Sequence, residues 1–210
     1  MVRGTAAKIG VLVTCLTLAL GIAAHAQEKA APASTLDNLQ AAYNGESNAN
    51  AKYLAYAKKA DEEGYGKVAS LWRAAARAEQ VHLERHAKII SDMGGIPKAD
   101  VKLPEIRSTK ENLQDSFKGE TYESTEMYPV FLKQAEAEKN AAAIDSFEDA
   151  EKAEAVHAKL YDEAFKNVDA WKGANQEFYV CPLCGNVEQK LPDGSCPICG
   201  TAVNLFIPVS

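Results

Sequence analysis

Apolar and small residues recur every third or fourth position through four long stretches of the chain, the spacing of helices with one buried face. The first stretch predicts a helix over 35–63, capped by Thr35 or Asp37, with Leu39, Ala42, Tyr43, Tyr53, Leu54 and Ala57 on one stripe. Gly64-Tyr65-Gly66 turns the chain into a second helix over 67–93, which Gly94-Gly95 ends. Residues 96–108, with Pro97 and Pro104, read as a long connection without helical pattern. A third helix is predicted over 109–137 and a fourth over 140–168. Pro129 sits inside the third, where it removes a backbone hydrogen bond and predicts a kink near Glu120, Glu123 and Glu126. The pattern stops after Val168. Residues 169–176 read as a linker, and residues 177–210 are too few for a core of their own without a staple.

Two helical hairpins joined by one long crossover imply a ferritin-like four-helix bundle over 35–168, since a simple up-and-down bundle needs only short loops. The first residues read differently. Arg3 and Lys8 precede an uncharged apolar run, Ile9 to Ala24, which ends in Ala24-His25-Ala26, a small-x-small cleavage pattern. Residues 1–26 are therefore expected to be a signal peptide cleaved near Ala26, and 27–34 a flexible leader. The run is shorter than the roughly 18 to 20 apolar residues of a spanning helix, which disfavours a retained anchor. The expected location is outside the cytoplasm, in the periplasm. Loss of residues 1–26 would move the formal charge from −6 to −8 by removing Arg3 and Lys8. So acidic a chain is a poor nucleic-acid binder.

The chemistry-bearing pattern is Glu79-x-x-His82 and Glu154-x-x-His157. On a helix, residues three apart project from one face, so each pair offers a carboxylate and an imidazole from one rigid support. One such pair says little in a chain with 19 glutamates. The spacing of the carboxylates says more: Glu46 lies 33 residues before Glu79, and Glu120 lies 34 before Glu154. Bundles that hold two irons take Glu-x-x-His from each of two helices and a Glu from each of two others. Glu46 also falls on the first helix's apolar stripe, where an unpaired carboxylate would cost several kcal/mol unless a metal neutralised it. The aromatic residues Trp72, Tyr53, Tyr56, Phe131 and Phe147 read as core. His86, with no glutamate three residues earlier, reads as structural or exposed.

Removal of the signal peptide takes away Cys15 and leaves four cysteines, all in the tail. Cys181-Pro-Leu-Cys184 and Cys196-Pro-Ile-Cys199 are two Cys-x-x-Cys knuckles, which together set four thiolates for one tetrahedral metal rather than two disulfides. Iron or zinc fits that ligand set. Zinc would be a staple, whereas iron would carry an electron.

Both halves together resemble rubrerythrin, a ferritin-like di-iron domain followed by a rubredoxin-like domain, over essentially the whole chain after residue 26. The resemblance rests on Gly45-Glu46-Ser47, Glu79-x-x-His82, Gly119-Glu120-x-x-Glu123-x-x-Glu126-Met127-Tyr128-Pro129, Glu154-x-x-His157 and the two knuckles. It implies an all-α bundle with a small metal-bound β/loop domain over 177–210. It also implies two non-haem irons held by Glu46, Glu79, Glu120, Glu123, Glu154 and His157, with His82 a ligand in some redox states. Cys181, Cys184, Cys196 and Cys199 would hold a third iron, and Tyr53 and Tyr128 match tyrosines that hydrogen-bond the carboxylates. The implied activity is a peroxidase that reduces hydrogen peroxide to water, with His82 and Glu123 exchanging as ligands and Glu123 relaying a proton. An external electron donor of unknown identity is implied. So is a homodimer in which the tail of one subunit lies near the di-iron site of another. The export signal departs from the family pattern. Two other readings use the same residues: a ferroxidase or iron-handling protein that reacts with O2, and a non-enzymatic zinc-binding protein.

Overall fold

The computed structural model describes Met1 and residues 33–210. The cleavage pattern and most of the leader lie outside the described residues. Helix α1, Thr35–Glu62, is capped by Ser34 rather than by Thr35 or Asp37. Ser34 accepts from the Asp37 N–H while Asp37 reaches back to the Ser34 N–H, so both residues satisfy otherwise unpaired donors. Helix α2, Gly66–Asp92, runs back alongside it. The crossover then returns along α1, where Asn44 and Asn48, one turn apart, accept from the Asp100 and Lys102 N–H groups at 2.8 Å each. These bonds fix a segment that has no helical pattern of its own.

The third rod is not one uniform helix. It comprises α3, Thr109–Tyr122, a π turn over Glu123–Met127, and α4, Tyr128–Ala137. Ser108 and Glu111 form its capping box. The kink expected at Pro129 takes the form of this wider turn. The Tyr128 N–H bonds five residues back to Glu123, and Pro129, which has no N–H to give, falls in the first turn of α4. Helix α5, Ala141–Lys166, closes the bundle behind an Asn140 cap.

Two apolar clusters fill the interior. One contains Tyr53, Tyr56, Trp72 and Tyr161, the other Leu39, Ile90, Tyr128 and Phe147. Leu54 belongs to neither and is 51% exposed, because one residue beyond buried Tyr53 the helix has turned about 100° toward water. The tail forms a three-stranded antiparallel sheet of order β2-β1-β3: β1 Phe178–Val180, β2 Val187–Glu188 and β3 Ile207–Val209. Phe178, Val180 and Val187 join the bundle's first cluster, so bundle and tail share apolar packing. Among the described residues no helix is long and apolar enough to cross a membrane.

Candidate metal centres

Each rod delivers its carboxylate to one level between the two apolar clusters. Glu46 comes from α1, Glu79 and His82 from α2, Glu120 from α3, and Glu154 and His157 from α5, all buried. Ligand atoms of Glu46, Glu79, His82 and Glu154 lie within 4.8 Å of one another, and so do those of Glu79, Glu120, Glu154 and His157. Glu79 and Glu154 belong to both groups. The arrangement is thus two adjacent positions spanned by two shared carboxylates, each closed by one carboxylate and one imidazole.

The residues fit a pair of cations. Buried oxygens of Glu46, Glu79, Glu120 and Glu154, and Nδ1 of His157, have no hydrogen-bond partner. Nδ1 of His157 stands 2.7 Å from Glu154 Oε2 without hydrogen-bond alignment, and Nδ1 of His82 stands 2.9 Å from Glu154 Oε1. Lone pairs converging in a dry interior are costly unless a cation takes them. Two divalent ions balance the four carboxylates. Without them, protons must serve: burial, then Glu79 and Glu154, pushes Glu46 well above the usual carboxylate range. Burial and the same two neighbours raise Glu120 to about 8. Against the opposing effect of burial, the carboxylates lift His82 and His157, while the two imidazoles hold Glu154 low.

Glu123 stands apart from both groups. It lies in the π turn, only partly buried, and lines a recess of about 280 Å³ with Gly45, Asn48 and Lys52. Burial and the nearby carboxylates, Glu46 foremost, push its carboxyl well up. The structure therefore gathers His82, and not Glu123, among the converging atoms. Glu126 is exposed.

Around these groups a second layer fixes their orientation. Tyr53 donates to Glu120 and Tyr128 donates to Glu46. Behind Tyr128 lies His86, buried rather than exposed, with Nε2 3.2 Å from the tyrosine hydroxyl and Nδ1 3.1 Å from Ser146 Oγ. Burial holds His86 down at about 3, so its imidazole is neutral. A Ser146 hydroxyl donating to Nδ1 leaves the proton on Nε2, which then donates to Tyr128.

The four cysteines of the tail are free, and their sulfurs lie within 4.8 Å of one another. The Cys181–Cys199 and Cys184–Cys196 sulfurs are 3.5 Å apart, well beyond the roughly 2.05 Å of a disulfide and suited to a tetrahedral metal. The first knuckle docks on the carboxylate cluster of its own chain. Nε2 of His82 is 2.9 Å from the Cys184 carbonyl oxygen, and Nε2 of His157 is 3.0 Å from that of Gly185. Each carbonyl can only accept, so each Nε2 carries a proton, and once a cation displaces the proton on Nδ1 each imidazole turns that nitrogen's lone pair inward. Arg85 clamps the same knuckle, donating to Leu183 O at 2.9 Å and Asp149 at 2.7 Å.

A family model described as Rubrerythrin matches residues 37–165. Nigerythrin of Nitratidesulfovibrio vulgaris is 40% identical over 83% of this chain and 86% of its own length. The chain belongs to the rubrerythrin family. Rubrerythrin-2 of Clostridium acetobutylicum is 33% identical over 83% of this chain and 96% of its own. The solved structure of fully reduced, all-ferrous nigerythrin superposes with a TM-score of 0.79 at 38% identity, covering 88% of this chain and 91% of that one. A Desulfovibrio desulfuricans bacterioferritin, 22% identical with a TM-score of 0.61, shares the ferritin-like fold. As a rubrerythrin, the chain is a di-iron oxidoreductase of the peroxidase type, and its two clusters fit the di-iron pair and the sulfur-held iron of that family.

The sequence signalled the converging side chains and, through the family resemblance, the supporting Tyr53 and Tyr128, but missed His86 and the two knuckle carbonyls. His86 follows His82 by one helical turn on the same face, a spacing that would have placed it inside had it been weighed without a carboxylate partner. The carbonyls of Cys184 and Gly185 left no side-chain signal.

Proposed function

We propose that the chain reduces hydrogen peroxide to two waters at the carboxylate cluster, drawing electrons through the four-sulfur site of the tail. When bound, two irons in the cluster supply two electrons per peroxide, and one iron among the sulfurs passes electrons singly. The chain's own groups orient and protonate. Tyr53 and Tyr128 hold one oxygen each of Glu120 and Glu46, leaving the others free to face the centre. Glu123, whose carboxyl burial and the neighbouring carboxylates push well up, lines the recess and would give its proton to a departing oxygen. His82 is the imidazole that exchanges with it.

What favours this over iron storage or release is the seam between the two centres. Two carbonyls of the Cys181–Gly185 knuckle accept from the two imidazoles of the cluster, so the sulfur site abuts the carboxylate site. Storage has no need of that seam, and a one-electron supply does. The deciding experiment mixes iron-loaded, fully reduced protein with peroxide or with O2 in a stopped-flow cell. Peroxide is expected to reoxidise it far faster. Rapid reaction with O2 and a slow one with peroxide would make the chain a ferroxidase, and colourless protein carrying zinc in both sites would make it a non-enzymatic metal binder.

The same reading places the protein outside the cytoplasm as a homodimer served by a donor of that compartment. Export is supported by Arg3 and Lys8, the Ile9–Ala24 run and Ala24-His25-Ala26. Protein from its native cells should begin at Gln27 and fractionate outside the cytoplasm; an intact Met1 terminus would refute cleavage, and recovery from the cytoplasm would refute export. In the single chain the knuckle covers its own cluster, and an exchange of tails between two copies would preserve these contacts. Crosslinks between Arg85 and the knuckle that join two chains would establish the exchange, and crosslinks confined to one chain would exclude it.

A further inference from the structure

Four buried aromatic rings lead away from the carboxylate cluster, beginning at Tyr53. Tyr53, whose hydroxyl donates to Glu120, has its ring centroid 5.6 Å from that of Tyr161. Tyr161 is 6.3 Å from Trp72, and Trp72 is 5.3 Å from Tyr56. All four are at most 1% exposed. The Tyr56 hydroxyl then donates to Asp115 at 2.9 Å, and the Asp115 side chain is 38% exposed and within 3.6 Å of Lys52 Nζ.

Resting on the peroxide-reducing reading, we propose that Tyr53, Tyr161, Trp72 and Tyr56 form a second electron route, joining the cluster to the surface at Asp115 when the tail cannot supply electrons. Rings are the side chains that lose one electron most readily, and here they are in near contact along the whole path. The hydrogen bonds assign each ring a part. Oxidation of a tyrosine requires its proton to leave, and Tyr53 has Glu120 and Tyr56 has Asp115 as acceptor. Trp72 can lose an electron while keeping its N–H, which donates to Ser116 at 2.9 Å. The Tyr161 hydroxyl has no partner to take its proton, so its ring is a bridge rather than a resting place.

The step balances without further reactants. One hydrogen peroxide and two tyrosine side chains give two waters and two neutral tyrosyl radicals. Each tyrosine loses one electron to the cluster and one proton to its acceptor, Glu120 for Tyr53 and Asp115, open to solvent, for Tyr56. The oxygens of the broken O–O bond take up the two electrons and two protons, one passed on by Glu120 and one drawn from water, so that the sum is unchanged. At the surface end a small enediol or phenol restores the Tyr56 O–H by giving back one electron and one proton. The route would thus spare the interior from oxidative damage and let a small reductant sustain turnover without the tail.

The test uses full-length, iron-loaded, reduced protein treated with excess peroxide and no donor, then freeze-quenched for EPR. An organic radical is expected, with lines that narrow when the protein carries ring-deuterated tyrosine and that ascorbate removes quickly. Tyr56→Phe and Trp72→Phe should keep a radical but lose its ascorbate-dependent decay, while reoxidation by the first equivalent of peroxide stays at the wild-type rate. Tyr56→Phe preserves the packed ring, so it decides the matter should Trp72→Phe fail to fold. The route is overturned if peroxide oxidises the protein without any organic radical, or if ascorbate quenches the radical as fast in both variants as in wild type. Failure of peroxide to reoxidise the reduced protein at all would instead refute the peroxidase reading.

Discussion

Nε2 of His82 lies 2.9 Å from the carbonyl oxygen of Cys184, so one hydrogen bond joins a candidate ligand of the carboxylate cluster to a candidate ligand of the sulfur cage. The bond fixes the imidazole's tautomer and its tilt, and it removes the gap that water would otherwise occupy between two redox centres. Gly185 makes the approach possible. Its φ of +75° turns the chain, and a Cβ at this position would overlap the His82 ring.

Gly185→Ala should therefore lift the knuckle off the bundle. The left-handed backbone alone costs about 1–2 kcal/mol for a residue with a Cβ, before the clash is counted. Reduction of the carboxylate site through the tail should slow, while oxidation of pre-reduced protein by peroxide stays unchanged. Both rates are read by stopped-flow absorbance. Equal reduction rates in variant and wild type would show that the docked knuckle is not the electron route.

His86 makes a pH prediction whose sign follows from its burial. Its folded-state value of about 3 lies below the usual 6.5, so between those limits the unfolded chain binds a proton that the folded chain does not. Its contribution to stability is thus full above 6.5 and declines toward pH 3, by at most about 1.4 kcal/mol per pH unit. His86→Gln removes this dependence. Denaturant melts of metal-free protein at several pH values should show wild type losing stability in acid faster than the variant, since the other buried groups titrate in both. Parallel curves would mean that His86 is charged in the folded state.

Much of this centre could be read from the chain because ligand geometry is written in helical periodicity. Glu79, His82, Glu154 and His157 announce themselves by three-residue spacing, and Glu46 and Glu120 by the repeat of the hairpin. Where one residue's rotation decided the outcome, reading from pattern failed. Leu54 sits beside Tyr53 yet faces water, and Thr35 is helical because Ser34 before it makes the capping box. The π turn was hidden for another reason. Glu120, Glu123 and Glu126 keep α-helical spacing in the sequence, and the inserted residue appears only in the hydrogen bond from Tyr128 to Glu123. The resemblance implied a tail near another subunit's site, and its docking on the cluster of its own chain left no signal because the acceptors are backbone carbonyls, which every residue has.

Metal binding should release protons, more so as the solution becomes acidic. The carboxyls of Glu46 and Glu120 and the imidazoles of His82 and His157 hold protons more tightly in the metal-free protein than free side chains do. An incoming cation must displace them, so apparent affinity weakens as the pH is lowered. Titration with Co(II) in buffers of different ionisation enthalpy measures the protons released. A binding enthalpy independent of the buffer would contradict the picture of a protonated, metal-free cluster.

The cluster's residues should also trade stability for metal binding. Glu46 is wholly buried, and its Oε2 has no partner. Glu46→Gln preserves the shape and leaves a carbonyl to accept from Tyr128, but it removes a group that the metal-free fold must neutralise. Such a replacement in a dry interior is expected to stabilise the metal-free protein by about 1–3 kcal/mol. In the wild type, iron should raise the melting temperature, since a ligand that binds the folded chain and not the unfolded one stabilises it. In the variant that increment should shrink, since one of the two positions loses its closing carboxylate. Calorimetry with and without ferrous iron reads both quantities. A variant less stable than wild type without metal would mean that the Glu46 carboxylate is no burden to the metal-free fold, and one that gains as much from iron would mean that it is not a ligand.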